Sequence, residues 1–394
     1  MSSEIKKDLS NAASHSRLVA PAEIRQSEEE LADAASRHFR EKPELDVVAF
    51  GMAVHTKLKD HVVGYLFQVR KSGRVVYTAA WNWAQTPTDG GVGWTEDTRM
   101  HVASVSKFLT AVAMVKLFSA NNPPVPYDAK IIDYLPSHWS KGPLVDQITF
   151  RQLFRHESGF RTKLSDYQSM RNQIADGVNT DDLGNYCYRD VNFGLCRILM
   201  PIINNDVDKA AVFSQSDVQE NDGTWDSVTR DHYRSYMRAN IFSPAEVQDA
   251  DWVPSPLRSR ALAYRFPDNG QAGLDSGDLG SVVGPVGWRL SARELLDVMD
   301  AVKRKNTIVT GEQAAQMLSG SFGLDPYTNE ISLGGRSVCK AGFWRKSGAQ
   351  EQCVAYFLPD SVEAVAFVSS RIGGYSKEVH VWEVVRDAYK SSLS

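Results

Sequence analysis

Thr98-Arg-Met-His-Val-Ala-Ser-Val-Ser-Lys-Phe-Leu-Thr-Ala-Val-Ala113, continuing as Met-Val-Lys-Leu-Phe-Ser119, is the stretch on which the fold turns. It reads as a short approach segment leading into a buried helix that starts near Ser104. Phe108, Leu109, Val112, Val115, Leu117 and Phe118 cover most of the helix circumference, and a helix apolar nearly all round is central in a large protein. Asn121-Asn122-Pro123-Pro124 ends it sharply. Ser104 and Lys107 are three positions apart and share a face, so the lysine is expected to turn its ammonium toward the serine hydroxyl. Ser-x-x-Lys also occurs at Ser3/Lys6, in the polar N-terminal tail, and at Ser337/Lys340, in a strand-like run where residues three apart face opposite sides. Only the middle copy lies at the start of a buried helix.

The pattern changes on both sides of this helix. Gly64 to Val69 and Arg74 to Trp81 are β-rich and joined by Lys71-Ser72-Gly73, a hairpin signal, and a Pro/Gly-rich loop follows from Thr86 to Gly93. From Asn121 to about Gly280 strand-like alternation fades, and helical segments with long polar connections take over. Strand signals return at Val338–Trp344, Gln352–Leu358 and Glu363–Ser369, the last two joined at Pro359-Asp360. An amphipathic helix from Lys377 to Tyr389 closes the chain. This order predicts an α+β fold: an antiparallel sheet flanked by helices, built from both chain ends, with an all-helical domain inserted. The expected divisions are a flexible lead-in over 1–28, a first α/β part over 29–125 opening on a surface helix (Glu28–Arg40), a helical domain over 126–281, and a second α/β part over 282–394.

Of the 394 residues 42% are hydrophobic and 23% charged, which suits a globular chain with an ample core. A net charge of −4 offers no basic footprint for nucleic acid and no polybasic patch for a membrane, so neither partner is expected. The polar N-terminus shows no secretory signal, and no run reaches the roughly 20 apolar residues of a membrane span, so a cytoplasmic location is expected. Cys187, Cys196, Cys339 and Cys353 form no C-x-x-C pair and no zinc-type spacing, which predicts reduced, partly buried thiols. A G-x-S-x-G elbow, a phosphate loop, a dinucleotide fingerprint and H-E-x-x-H are all missing, and no metal or organic cofactor is implied. His156, in a loop-like His-Glu-Ser-Gly segment, is assigned a structural role.

At Ser104 the physics favours chemistry. A buried lysine is costly unless paired, and desolvation pushes such a group toward its neutral, basic form. A helix start supplies unpaired N–H groups and a positive dipole end that stabilise a developing alkoxide. Serine needs a neighbouring proton acceptor to act as a nucleophile. The competing reading is an N-cap serine followed by a solvated lysine.

The 98–113 segment resembles the Ser-x-x-Lys region of class C β-lactamases and related family VIII-type esterases, within the wider penicillin-binding-protein-like group. Tyr127–Pro136, Ile148–Gly159 and Gly287–Leu296 resemble further segments of that family in the right order, and the similarity spans roughly residues 60 to 390. The resemblance implies a serine nucleophile at Ser104 with Lys107 beside it. It places the family's Tyr-x-Asn tyrosine at Tyr188, in Tyr188-Arg189-Asp190, with Tyr186 as a substitute. Asp190 stands where the family has asparagine; a carboxylate there would hold Lys107 cationic and cannot donate an amide hydrogen bond. Lys340-Ala341-Gly342 matches the family's Lys-Thr-Gly strand, although Ala341 lacks the threonine hydroxyl that helps hold a substrate carboxylate. Lys340 would bring a second cation to the site, and Gly342 would let substrate approach the backbone. By the same resemblance the backbone N–H groups of Ser104 and Phe343 would form the oxyanion hole; Trp344 and Trp288 read equally as the lining of an apolar acyl pocket or as core packing.

The function this implies is acyl transfer from an ester or amide of a small molecule to water or another acceptor, with Lys107 or Tyr188 as base. The altered second and third motifs favour an esterase, amidase or acyltransferase. A β-lactamase or D-amino-acid peptidase, and a non-catalytic binding or scaffold protein that keeps the fold, are the alternatives. Oligomeric state is not legible.

Overall fold

The computed structural model describes residues 43–332 and 335–394. The expected lead-in, the Glu28–Arg40 helix and the Ser3/Lys6 pair lie outside the described residues. Helix α1 (Val47–Leu58) precedes strands β1 (Gly64–Lys71), β2 (Arg74–Gln85), β3 (Val92–Gly93) and β4 (Met100–His101). Helices α2 (Ser106–Ala120), α3 (Phe150–Phe154), α4 (Tyr167–Asp176), α5 (Val191–Ile203) and α6 (Val218–Met237) follow. After β5 (Arg289–Leu290) come α7 (Ala292–Lys303) and α8 (Gly311–Gly320). Strands β6 (Glu330–Ser332), β7 (Gly335–Lys346), β8 (Ala349–Leu358) and β9 (Val362–Val368) lead to helix α9 (Val381–Ser391).

Seven strands form one antiparallel sheet in the order β3-β2-β1-β9-β8-β7-β6. The first and last strands of the chain meet at its centre, where β1 pairs β9 from Tyr65↔Val368 to Lys71↔Val362. Every residue of β8 and β9 is buried, because both faces of the sheet are covered. Alternation sorts their side chains. Tyr65, Phe67, Ala364, Ala366 and Val368 face α1 and α9, where Phe50 meets Phe67 and Tyr389 edge-on at 5.2 and 5.7 Å. Leu66, Val365, Phe367 and Phe357 face the opposite way into the larger core, which takes in α2, α5 and α7.

Helix α2 is the axle of that core. Residues 106–115, 117 and 118 are buried, and Phe108 anchors the helix to the sheet through Phe357 at 5.4 Å. The stretch Ala103–Ala120 is long and apolar enough to cross a membrane, yet 78% of it is buried inside the fold, as a central helix requires. Its α-helical part starts at Ser106, two residues later than the sequence suggests, because Ala103–Val105 forms a 3₁₀ turn. The closing helix likewise starts at Val381 rather than Lys377, since the His380 N–H donates to Glu383 Oε2 at 2.9 Å and sets the cap. Cys196, Cys339 and Cys353 are buried thiols and Cys187 is half-buried, all four unbridged.

Candidate active site

Ser104 lies on the 3₁₀ turn between β4 and α2. Ala103 before it has φ 43°, a left-handed conformation that costs an alanine about 1–2 kcal/mol. Surrounding bonds hold the turn: Val102 N–H donates to the Trp288 carbonyl, and Val105 N–H returns to the Val102 carbonyl, both at 2.9 Å. The Cys353 thiol adds a bond to that same carbonyl at 3.1 Å. Gly342 of β7 presses on this turn. A Cβ there would lie 2.5 Å from Val102 O and 2.5 Å from Cys353 Sγ. The close approach that requires glycine is thus to the serine's own turn, where the sequence suggested substrate. Gly342→Ala is expected to lower stability by about 1–3 kcal/mol through overpacking and to reduce turnover by displacing Ser104. Thermal unfolding beside an ester assay checks both.

Lys107, one helical turn on, is fully buried. Its Nζ donates to Ser104 Oγ at 2.9 Å and to the Pro285 carbonyl at 3.1 Å, and it pairs with Asp190 Oδ1 at 2.7 Å. An ammonium has three hydrogens, and three acceptors surround this one. Asp190 therefore faces the site. It reaches Lys107 because it sits just before α5, which packs on α2.

Tyr188, two residues upstream, lies between two cations: Lys107 Nζ is 4.8 Å and Lys340 Nζ 5.0 Å from its ring centroid. His156 steadies this segment. Its ring lies 4.4 Å from that of Tyr188 and its carbonyl accepts from Cys187 N–H at 2.7 Å. Its Nδ1 accepts from Arg189 N–H at 3.2 Å and from the Asn192 amide at 3.1 Å. Tyr186 is more exposed, with its ring edge-on to His156 at 6.2 Å. Burial first, then the Lys107 and Lys340 charges, hold the His156 imidazole well below its usual pKa. Unfolded histidine takes its proton near pH 6.5, whereas folded His156 does so only at lower pH. Stability from this group is thus full above about pH 6.5 and falls on acidification by up to about 1.4 kcal/mol per pH unit. His156→Gln is expected to flatten the dependence of unfolding temperature on pH below 6.5.

The third wall is β7. Beyond Ser337 its outer edge is free of β6, and the edge N–H groups of Cys339 and Ala341 donate to Thr328 Oγ1 at 3.0 Å and Asp325 Oδ2 at 2.8 Å. Phe343, two residues further, directs its N–H to the same edge, as the assigned oxyanion donor must. Its side chain is on the other face, 38% exposed and edge-on to His380. Lys340 is buried and paired with Asp325 Oδ1 at 2.6 Å. Burial opposes its charge, but Asp325 and the Tyr188 and Tyr327 phenols more than offset this and raise its pKa. Trp344 is half-buried on the face shared by Lys340 and Gly342. Trp288 is not a pocket residue. It is fully buried among Tyr233, Phe242 and Trp252, with its indole N–H on Tyr233 Oη at 3.1 Å.

Residues 35–200 match the family model described as Beta-lactamase. The fold around them matches solved structures of the same kind. A class C beta lactamase from Rhodobacter sphaeroides is 15% identical, with a TM-score of 0.59 over 87% of this chain and 98% of that one. The fold is β-lactamase-like. A D-amino acid amidase from Ochrobactrum anthropi SV3 superposes with a TM-score of 0.60 at 15% identity, over 87% of this chain and 99% of its own. EstCE1, described as a hydrolase with promiscuous acyltransferase activity, gives 0.59 at 14% identity over 87% and 98%. No curated protein matches this chain in sequence.

The β-lactamase-like fold explains how residues so far apart in the chain converge. Ser104, Lys107, Tyr188, Asp190 and Lys340 meet at one place, with the edge of β7 beside them. Sequence reasoning missed Asp325, the Pro285 carbonyl and the grip of His156 on the tyrosine segment.

Proposed function

We propose that the protein is a serine-nucleophile acyl hydrolase or acyltransferase, acting on an ester or amide of a small molecule through an acyl-enzyme. The observation that carries this reading is the 2.9 Å hydrogen bond from the fully buried Lys107 ammonium to Ser104 Oγ, beside Tyr188. As an ammonium paired with the Asp190 carboxylate at 2.7 Å, Lys107 has no lone pair for the serine proton. Its part is to orient the hydroxyl and to stabilise negative charge on the oxygen as the bond to carbon forms. The proton passes through Tyr188: the phenolic oxygen accepts it while the phenol's own hydrogen moves to the departing alcohol or amine. The Ser104 and Phe343 N–H groups hold the tetrahedral oxyanion. Water or another acceptor then attacks the acyl-enzyme, and the same relay runs in reverse.

A β-lactamase or D-amino-acid peptidase is the second reading, favoured by the fold it shares with such enzymes and weakened by Asp190 and Ala341. Turnover of p-nitrophenyl butyrate and of nitrocefin, measured side by side, decides between them. Ester turnover without nitrocefin cleavage supports the proposal, and rapid nitrocefin cleavage puts the second reading first. Turnover of neither removes the enzymatic reading.

A further inference from the structure

We propose that the charge balance around Ser104 confines the protein to substrates without a carboxylate beside the scissile carbonyl, and that Asp190 selects a hydrogen-bond donor, an amide N–H or an ammonium, at that place. The inference rests on the acyl-transfer reading above and narrows its substrate class.

Two cations flank the serine, and each is already matched by its own carboxylate. Lys107 is paired with Asp190 at 2.7 Å and Lys340 with Asp325 at 2.6 Å. The second pair is closed to substrate, since both side chains are 3% exposed and the remaining Asp325 oxygen is taken by the Ala341 N–H. Ala341 brings no hydroxyl to the strand edge. A carboxylate placed here would find both flanking ammonium groups already matched and would meet Asp190; the neighbouring Arg189 turns its guanidinium to the Arg161 and Tyr188 carbonyls, each at 2.7 Å. The Asp190 side chain keeps 33% of its surface exposed. Its Oδ1 is enclosed against Lys107, which leaves Oδ2 as the oxygen turned away from the lysine. An ionised carboxyl oxygen is an acceptor only, so it rewards N–H donors and repels anions. The further cations Arg345, Arg371 and Lys377 line a separate cleft of about 380 Å³. Arg345 is itself paired with Glu378 at 3.1 Å, and it lies about 10 Å along β7 from Gly342, beyond the reach of a short acyl chain.

The test compares kcat/KM for p-nitrophenyl butyrate, p-nitrophenyl hemisuccinate and the p-nitrophenyl ester of β-alanine. These are neutral, anionic and cationic acyl groups of similar length. The hemisuccinate is expected to fall at least about tenfold below butyrate, and the β-alanine ester to equal or exceed it. Asp190→Asn is expected to narrow the gap between hemisuccinate and butyrate several-fold. Inhibition by phenylboronic and 3-carboxyphenylboronic acids reads the same preference without turnover, should the variant be slow. Butyrate turnover with equal use of the hemisuccinate, or an unchanged ratio in Asp190→Asn, overturns this inference alone. No turnover of any ester and no boronate inhibition overturns the acyl-transfer reading and this one with it.

Discussion

Replacing Ser104 with alanine is expected to lower kcat/KM for p-nitrophenyl butyrate by at least about 10³-fold, with little change in unfolding temperature. The size of the effect follows from the role. Without the hydroxyl no acyl-enzyme forms, and what remains is direct attack by water assisted by the two oxyanion donors and by binding. Stability should be nearly unaffected, because the hydroxyl accepts only one of the two hydrogen bonds that Lys107 donates, and the lysine's charge is matched by Asp190 at 2.7 Å. Water can occupy the space of the lost oxygen, since Ser104 is not fully buried. Steady-state kinetics with a thermal melt on the same preparation checks both halves. Retained turnover would move the nucleophile elsewhere; lost turnover with a collapsed melt would show only that the turn had failed.

Asp325→Ala is expected to destabilise the protein by about 3–5 kcal/mol, the usual cost of leaving one partner of a buried ion pair uncompensated. Lys340 and Asp325 are each 3% exposed, so removing the carboxylate leaves the ammonium unmatched inside the fold. The Ala341 N–H loses its acceptor in the same variant. A double variant, Lys340→Met with Asp325→Leu, is expected to recover much of the stability while remaining catalytically impaired, because it removes both charges together. Urea unfolding of the wild type and of both variants measures this. A single variant no less stable than the double would mean that the pair is not the closed unit described here.

The parts of the molecule that sequence made legible are those governed by short-range periodicity. The β1–β2 hairpin follows from its Ser72-Gly73 turn, and β8 and β9 follow from apolar runs of strand length. The Ser104–Lys107 contact follows from helical spacing, because residues one turn apart meet whatever else the chain does. Tyr188 and Lys340 needed the resemblance to a family, since nothing local marks one tyrosine or one strand lysine among many. Asp325 and Pro285 were illegible for a different reason. Pro285 lies 178 residues from Lys107, and it acts through a backbone carbonyl that every residue possesses. Asp325 follows helix α8 in a Gly-Leu-Asp-Pro loop, where an aspartate is ordinarily a turn residue. His156 was read as structural, and its bonds are structural; their consequence is that Tyr188 is held against two ammonium groups. Sequence leaves Trp288 open between cleft and core, because an aromatic residue near a site motif looks the same in either place, and the fold puts it in the core.

The most direct test of the central claim, that Ser104 is an activated acyl nucleophile, is intact mass after incubation with a fluorophosphonate, followed by peptide mapping. One adduct per chain is expected, located on Ser104 and missing from Ser104→Ala. An unlabelled wild-type protein, or a label that maps to any other residue, would contradict it.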